Sequence, residues 1–298
     1  MPIIPAYLIK GDTILIIATA RARNLEAIRP AITILESWGL NVELGENIFK
    51  THHQFAGTDE ERAKDLQWAL QHKKAKAILI AGGGYGTMRI MDVVNFKPLL
   101  KYPKWLIGYS DSTILHNRFC QLKISSIHGT MAFQFTKNDT ATDSIKQLLF
   151  GKKINYTIPT SSLNRLGYAE AEIVGGNLSL LYAASGSVDN ISTKNKILFI
   201  EDLDEQLYHL DRMMLQLKRS NNLSQLKGLI VGGMSDMKDN RIPFGKNYNE
   251  IILDAVKEYN YPVCFNFPAG HVEQNMAIYF NKKAKLKVTK QKVSLNYF

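Results

Sequence analysis

The sequence predicts an α/β protein. An N-terminal parallel-sheet domain is expected to carry a nucleophile corner, a smaller C-terminal α/β domain to follow it, and the active site to lie in the crevice between them. Three observations predict this. Short apolar runs of strand length alternate with stretches of helical periodicity, the pattern of a parallel sheet covered on both faces. The texture then turns polar and turn-rich in "GKKINYTIPTSSLNRLG". Finally, 298 residues, 45% of them hydrophobic, suffice for two ordinary domains. The expected division is 1–152, a linker at 153–165, and 166–298.

The elements follow in order. "TILIIATA" (13–20) reads as a buried strand. In 24–39, Leu25, Ile28, Ile32 and Leu35 keep helical spacing up to Gly39, and Pro30 should kink that helix or mark its start. "NVELG" is a short strand. Thr58 and Glu61 hold capping-box spacing ahead of a helix over 58–70. "KAILIA" (76–81) is a third buried strand that ends at "GGGYG", with a helix expected from about Met88. "KWLIGYS" is the fourth strand, and a helix follows it. Beyond the linker come "AEAEIVGGNLSLLYAASG", the strand "KILFIED", a helix around "YHLDRMMLQLKRS", the strand "GLIVGGM", a helix around "NEIILDAVKEY" and closing strands. No internal repeat or low-complexity tract occurs.

Composition narrows the function classes. No apolar run has the length of a membrane helix, and "MPIIPAYLIKGD" lacks the plan of a signal peptide, so no membrane association is expected. Two cysteines, Cys120 and Cys264, suggest no disulfide framework and fit a reducing cytoplasm. The net charge of +10 suits nucleic acid or small anionic substrates. Much of the excess lies in "NKKAKLKVTKQKVSLNYF", where Ala284, Leu286 and Val288 alternate with Lys285 and Lys287. That pattern reads as a lysine-guarded edge strand. No basic stripe is interleaved with stacking aromatics, so nucleic acid is not an expected partner.

Several constellations could carry chemistry. "AGGGYGTMR" (81–89) places glycines at a strand end, where backbone N–H groups can approach an anion. It matches neither the dinucleotide fingerprint nor the P-loop, and taken alone it reads first as a plain tight turn, with an oxyanion hole beside the serine corner as the functional reading. Ser110 stands between an apolar strand and a helix. Gly108-Tyr109-Ser110-Asp111-Ser112 meets only half of the G-x-S-x-G elbow, so a helix cap and a nucleophile both remain open. A serine nucleophile needs a base and an orienting acid. Of the seven histidines, His271 follows a strand and a Pro-Ala-Gly turn, a position suited to catalysis but also to a structural loop. "KILFIEDLDEQ" is an apolar strand ending in Glu201 and Asp202, with Asp204 and Glu205 close behind. No metal-ligand spacing appears, and no metal or cofactor is expected.

Taken together, "FAGTDEERAKDLQWAL", "GGGYGTMRI", "PKWLIGYSDSTILH", "HGTM", "GGNLSLL", "FIEDLDEQLYHLDRMMLQL", "VGGMSDMKDN" and "FPAGHVEQN" resemble the LD-carboxypeptidase family. These are the serine peptidases of murein recycling, and they include microcin C immunity peptidases. The match runs nearly end to end. It departs at Gly82, where many relatives carry arginine, and at Thr130, where many carry proline.

The resemblance implies Ser110 as nucleophile, His271 as base and Glu201 as orienting acid, with Glu205 the nearby alternative. It implies an oxyanion hole of backbone N–H groups from Gly83, Gly84 and Asp111. It implies a murein stem peptide as substrate, release of its terminal D-alanine, and a cytoplasmic homodimer. Arg89 and Arg212 are candidate pocket cations, and each equally suits an ordinary ion pair. The alternative substrate is a peptide or aminoacyl-nucleotide conjugate, cleaved by the same triad. A non-catalytic anion-binding module is the reading from another class.

Overall fold

The computed structural model describes residues 2–136 and 139–298. In chain order the strands and helices are β1 (Thr13–Ile17), α1 (Leu25–Ser37), β2 (Asn41–Leu44), α2 (Asp59–Gln71), β3 (Ala75–Ile80), α3 (Pro98–Lys101), β4 (Trp105–Gly108), α4 (Thr113–Gln121), β5 (Ser126–His128) and α5 (Thr140–Leu149). They continue with β6 (Asn155–Pro159), β7 (Gly167–Asn177), α6 (Leu178–Ala183), β8 (Ile197–Leu203), α7 (Leu207–Arg219), β9 (Gly228–Ser235), α8 (Tyr248–Val256), β10 (Val263–Cys264), β11 (Ile278–Phe280), β12 (Lys283–Val288) and β13 (Lys292–Tyr297). They divide into two compact units, Met1–Lys153 with Met276–Phe280, and Ile154–Asn275 with Asn281–Phe298.

The first unit is built on a six-stranded sheet of order β11-β5-β4-β3-β1-β2. All its pairings are parallel except β11 with β5. Ile14–Ile17, Ala77–Ile80 and Trp105–Ile107 are solvent-free, as strands covered on both faces require. The order reverses between β1 and β3, so the carboxyl ends of β1, β3 and β4 lie side by side at a topological switch point. The second unit holds a seven-stranded sheet, β10-β9-β8-β7-β12-β13-β6. It is parallel from β7 to β10 and antiparallel on the other side.

Four local expectations are revised. The segment expected as a linker contains β6, which pairs with β13. The helix expected from Met88 is a single 3-10 turn, Thr87–Ile90. Farther along, Gln67 of α2 exchanges two hydrogen bonds with the backbone of Asn95, at 2.7 and 3.2 Å. The lysine-rich strand β12 is not an edge. It lies between β7 and β13, where Lys285 faces Glu170 directly and Lys283 also pairs with Glu170, at 2.7 Å. Helix α1 starts at Leu25, with Asn24 as its N-cap, so Pro30 lies inside it and does not mark its start. Among the described residues, no helix is long and apolar enough to cross a membrane.

Candidate active site

The nucleophile candidate is best understood from the strand before it. β4 is an apolar run that ends at Gly108, where a side chain would crowd its neighbours. A Cβ there would lie 2.8 Å from Ser112 Oγ and 3.1 Å from Ile80 Cγ1. The chain then turns, and Ser110 takes a left-handed backbone, φ +60°. Residues other than glycine take this region uncommonly, and a serine there is held at a cost. Here the surroundings are specific. His116 of α4 is fully buried, which pushes it down to about 4 and keeps it neutral. Its Nε2–H donates to the Gly108 carbonyl at 2.9 Å, and its Nδ1 accepts from Ser126 Oγ at 2.8 Å.

The glycine-rich turn after β3 closes against this corner. A Cβ on Gly83 would stand 3.2 Å from Ser110 Cβ and 3.3 Å from its Oγ, so glycine is what lets the two backbones meet. Among the described residues, the Gly83 and Gly84 N–H groups make no hydrogen bond. The turn is held by residues of both neighbouring loops. Asp111 Oδ2 accepts the Thr87 N–H at 2.8 Å. Burial raises the Asp111 carboxyl, while the N–H groups of Thr87 and Gly86 and the charge of Arg62 oppose that rise. Arg62, 1% exposed, donates to the carbonyls of Thr19 (2.7 Å) and Gly86 (2.9 Å) and also binds Asp59. Thr19 and Thr87 share a hydroxyl bond of 2.8 Å. Sequence reasoning missed Arg62, and its only local trace is a charged residue on the apolar face of α2.

In the second unit, Glu201 is fully buried near the end of β8. The β8–β9 register shifts between Ile200 and Asp202, and such a bulge re-aims the residue it contains. Oε2 of Glu201 accepts the His271 backbone N–H at 3.1 Å and lies 2.6 Å from His271 Nδ1. This bond puts the neutral ring's proton on Nδ1 and leaves Nε2 as the basic atom. Burial pushes the imidazole down, but the hydrogen bond and charge of Glu201 outweigh it, so His271 titrates above its ordinary value. The approach depends on Gly270, at φ +98°, where a Cβ would fall 2.6 Å from Glu201 Cβ. Ser235 Oγ donates to the His271 carbonyl at 2.5 Å and fixes the loop.

The other acids of the segment are occupied elsewhere. Glu205 meets His209 on α7 at 2.6 Å. Asp202 accepts from Asn177 Nδ2 and Ser179 N, and burial plus the charge of Glu201 lifts it to about 7. The two arginines singled out as pocket cations each have local partners. Arg89 forms an ion pair with Asp59 at 2.7 Å. Arg212 lies 5.3 Å over the Tyr208 ring and lines a cavity of about 750 Å³ on α7 with Tyr182 and Phe244. The space beside Gly82 is filled by Arg23, whose Nε lies 2.6 Å from where a Cβ would be.

Comparison with known proteins gives this arrangement its family. The LD-carboxypeptidase N-terminal domain matches residues 14–129, and the LD-carboxypeptidase C-terminal domain matches 170–286. A probable murein peptide carboxypeptidase of Bacillus subtilis is 34% identical, over 95% of this chain and 91% of its own. The murein tetrapeptide carboxypeptidase of Pseudomonas aeruginosa is 26% identical, over 91% and 92%. Among solved structures, muramoyltetrapeptide carboxypeptidase from Oxalobacter formigenes superposes with a TM-score of 0.87 at 26% identity, over 96% and 98% of the two chains. The microcin C7 self immunity protein MccF shares the fold, with a TM-score of 0.86 at 20% identity over 100% and 99%. The chain belongs to the LD-carboxypeptidase family and is a serine-type carboxypeptidase.

Proposed function

We propose that this carboxypeptidase removes the terminal D-alanine from murein tetrapeptides through an acyl-enzyme on Ser110. The observation that carries this reading is the Glu201–His271 pair. A buried carboxylate 2.6 Å from Nδ1 makes Nε2 a base whose affinity for a proton is enhanced. His271 takes the Ser110 proton as the hydroxyl attacks the scissile carbonyl, and Glu201 holds the ring and stabilises the imidazolium. The N–H groups of Gly83, Gly84 and Asp111 receive the oxyanion, where one such donor contributes about 3–4 kcal/mol. His271 then protonates the departing D-alanine nitrogen, and water, activated by the same imidazole, releases the peptide acid.

The left-handed Ser110 backbone and the close approach of Gly83 support the nucleophile assignment. The two murein carboxypeptidases support the substrate. The test is release of D-alanine from L-Ala-γ-D-Glu-meso-diaminopimelate-D-Ala by wild type and by Ser110→Ala. Release by wild type alone is expected. Release by neither rejects the diaminopimelate peptide and directs attention to lysine-type stem peptides and aminoacyl-nucleotide conjugates. Equal release by both rejects Ser110.

A further inference from the structure

We propose that Arg21 and Arg23 form a carboxylate clamp beside the nucleophile, which makes the enzyme select a substrate with a free C-terminus. The proposal rests on the D-alanine-releasing reading above. Three consecutive glycines at the end of β3 each abut a different side chain. A Cβ on Gly82 would meet Arg23 Nε at 2.6 Å, one on Gly83 would meet Ser110 Oγ at 3.3 Å, and one on Gly84 would meet Arg21 Cγ at 2.5 Å. Two arginine side chains from the loop after β1 thus pack against the glycines on either side of the one that touches the serine, at the switch point of the sheet.

Neither arginine has an ion-pair partner among the described residues. Arg23 is held in place without one. Its guanidinium lies 4.4 Å over the Phe133 ring, and the Phe133 N–H donates to the Ala81 carbonyl at 3.1 Å. Its buried Nε has no hydrogen-bond acceptor, and its one contact to a carbonyl, that of Ala22, is long at 3.4 Å. Burial, and next the charge of Arg21, hold Arg23 below its ordinary value, so an incoming anion relieves both costs.

The spacing fits the reaction. In a C-terminal residue the carboxylate carbon is three bonds from the scissile carbonyl carbon. A carboxylate anchor must therefore sit about one residue away from the nucleophile. Arg23 and Arg21 pack against Gly82 and Gly84, the chain neighbours of the glycine that touches Ser110. A planar guanidinium pair accepts a carboxylate with charge-assisted bonds, which a lone lysine point charge does not reproduce.

The test compares kcat/KM on the tetrapeptide with that on the same peptide amidated at its C-terminus, for wild type, Arg23→Gln, Arg23→Lys and Arg21→Gln. Arg23→Gln is expected to lower kcat/KM on the acid by roughly 10- to 100-fold, the value of a charged hydrogen bond, and to shrink the acid-to-amide ratio by the same factor. Arg23→Lys should recover part of it, and the exposed Arg21→Gln should move the ratio in the same direction. A peptide amidated instead at the D-Glu α-carboxyl should show the full Arg23 effect. An unchanged ratio, an equal fall on acid and amide, or an Arg23 effect that follows the D-Glu carboxylate overturns the clamp.

If wild type cleaves neither peptide, the murein reading fails separately, and thermal protection by N-acetyl-L-lysyl-D-alanine decides the clamp. Protection of wild type by the acid and not its amide, lost in Arg23→Gln, supports it. Equal protection by both, or by neither, overturns it.

Discussion

Ser110 holds a backbone conformation that costs a non-glycine residue of order 1–3 kcal/mol, and the neutral His116 and the glycine turn hold it there. His271 is set against Glu201 in the same over-determined way, and its raised pKa gives a measurable sign. The acid limb of kcat/KM should lie above the ordinary imidazole value of about 6.5, because the base works only when unprotonated. Glu201→Gln should move that limb down and lower kcat by roughly 100- to 10,000-fold. Stability must follow the opposite pH course. A raised folded pKa stabilises the protein fully below about 6.5 and ceases to do so as pH rises through the folded value. The stability lost in Glu201→Gln should therefore be larger at acid than at alkaline pH, as read by urea denaturation. A pH-independent difference would sink the coupling. At this scale much of the candidate site was legible: an acid ending an apolar strand, a histidine after a Pro-Ala-Gly turn, a serine on a corner. Local sequence left each of them with a structural alternative, because a cap and a nucleophile use the same residue types.

Elements reveal what spacing alone conceals. Asp111 reads as a first-turn acid, yet its carboxylate holds Thr87, 24 positions away. That contact exists only because β3 and β4 are neighbours in the sheet. Replacing it tests whether the turn is held from the corner. Asp111→Ala leaves the Thr87 N–H buried without its acceptor, a cost of about 1–3 kcal/mol, and should loosen the turn beside Ser110. Asp111→Asn keeps an acceptor oxygen and should retain most of the stability in the same urea titration. Equal losses in the two variants would mean that charge, not the hydrogen bond, matters. The lysine-rich strand failed as an edge for a related reason. Its alternation recorded cross-strand pairing with Glu170 in the interior of a sheet, and periodicity cannot distinguish a pairing partner from solvent. The helix expected near Met88 gave way to a 3-10 turn, and the backbone that follows is captured by Gln67 of α2, a tertiary contact.

At the scale of the whole molecule, the alternation of strands and helices made the α/β class readable, while the chain's path between its two units was not. A break between residues 150 and 165 looks like a simple boundary, yet residues 276–280 return to the first unit as its sixth strand. That return buries Ile278, Tyr279 and Phe280, each at most 2% exposed. Tyr279 packs on Trp105 at 5.2 Å between ring centroids and donates its hydroxyl to the Leu148 carbonyl at 2.5 Å, while the Ala277 N–H donates to Ser144 Oγ. Three large buried side chains contribute about 1.5–3 kcal/mol each, a large share of an ordinary domain's stability. A fragment of residues 1–153 leaves β5 as an unpaired edge and uncovers Trp105. It should aggregate or unfold at low urea. The same fragment extended by a short glycine-serine linker and residues 276–280 should unfold cooperatively at a clearly higher urea concentration. Tyr279→Ala in the extended fragment should remove most of that gain. Equal midpoints for the two fragments would show that the first sheet is complete without its returning strand, and that the strand reports chain routing rather than stability.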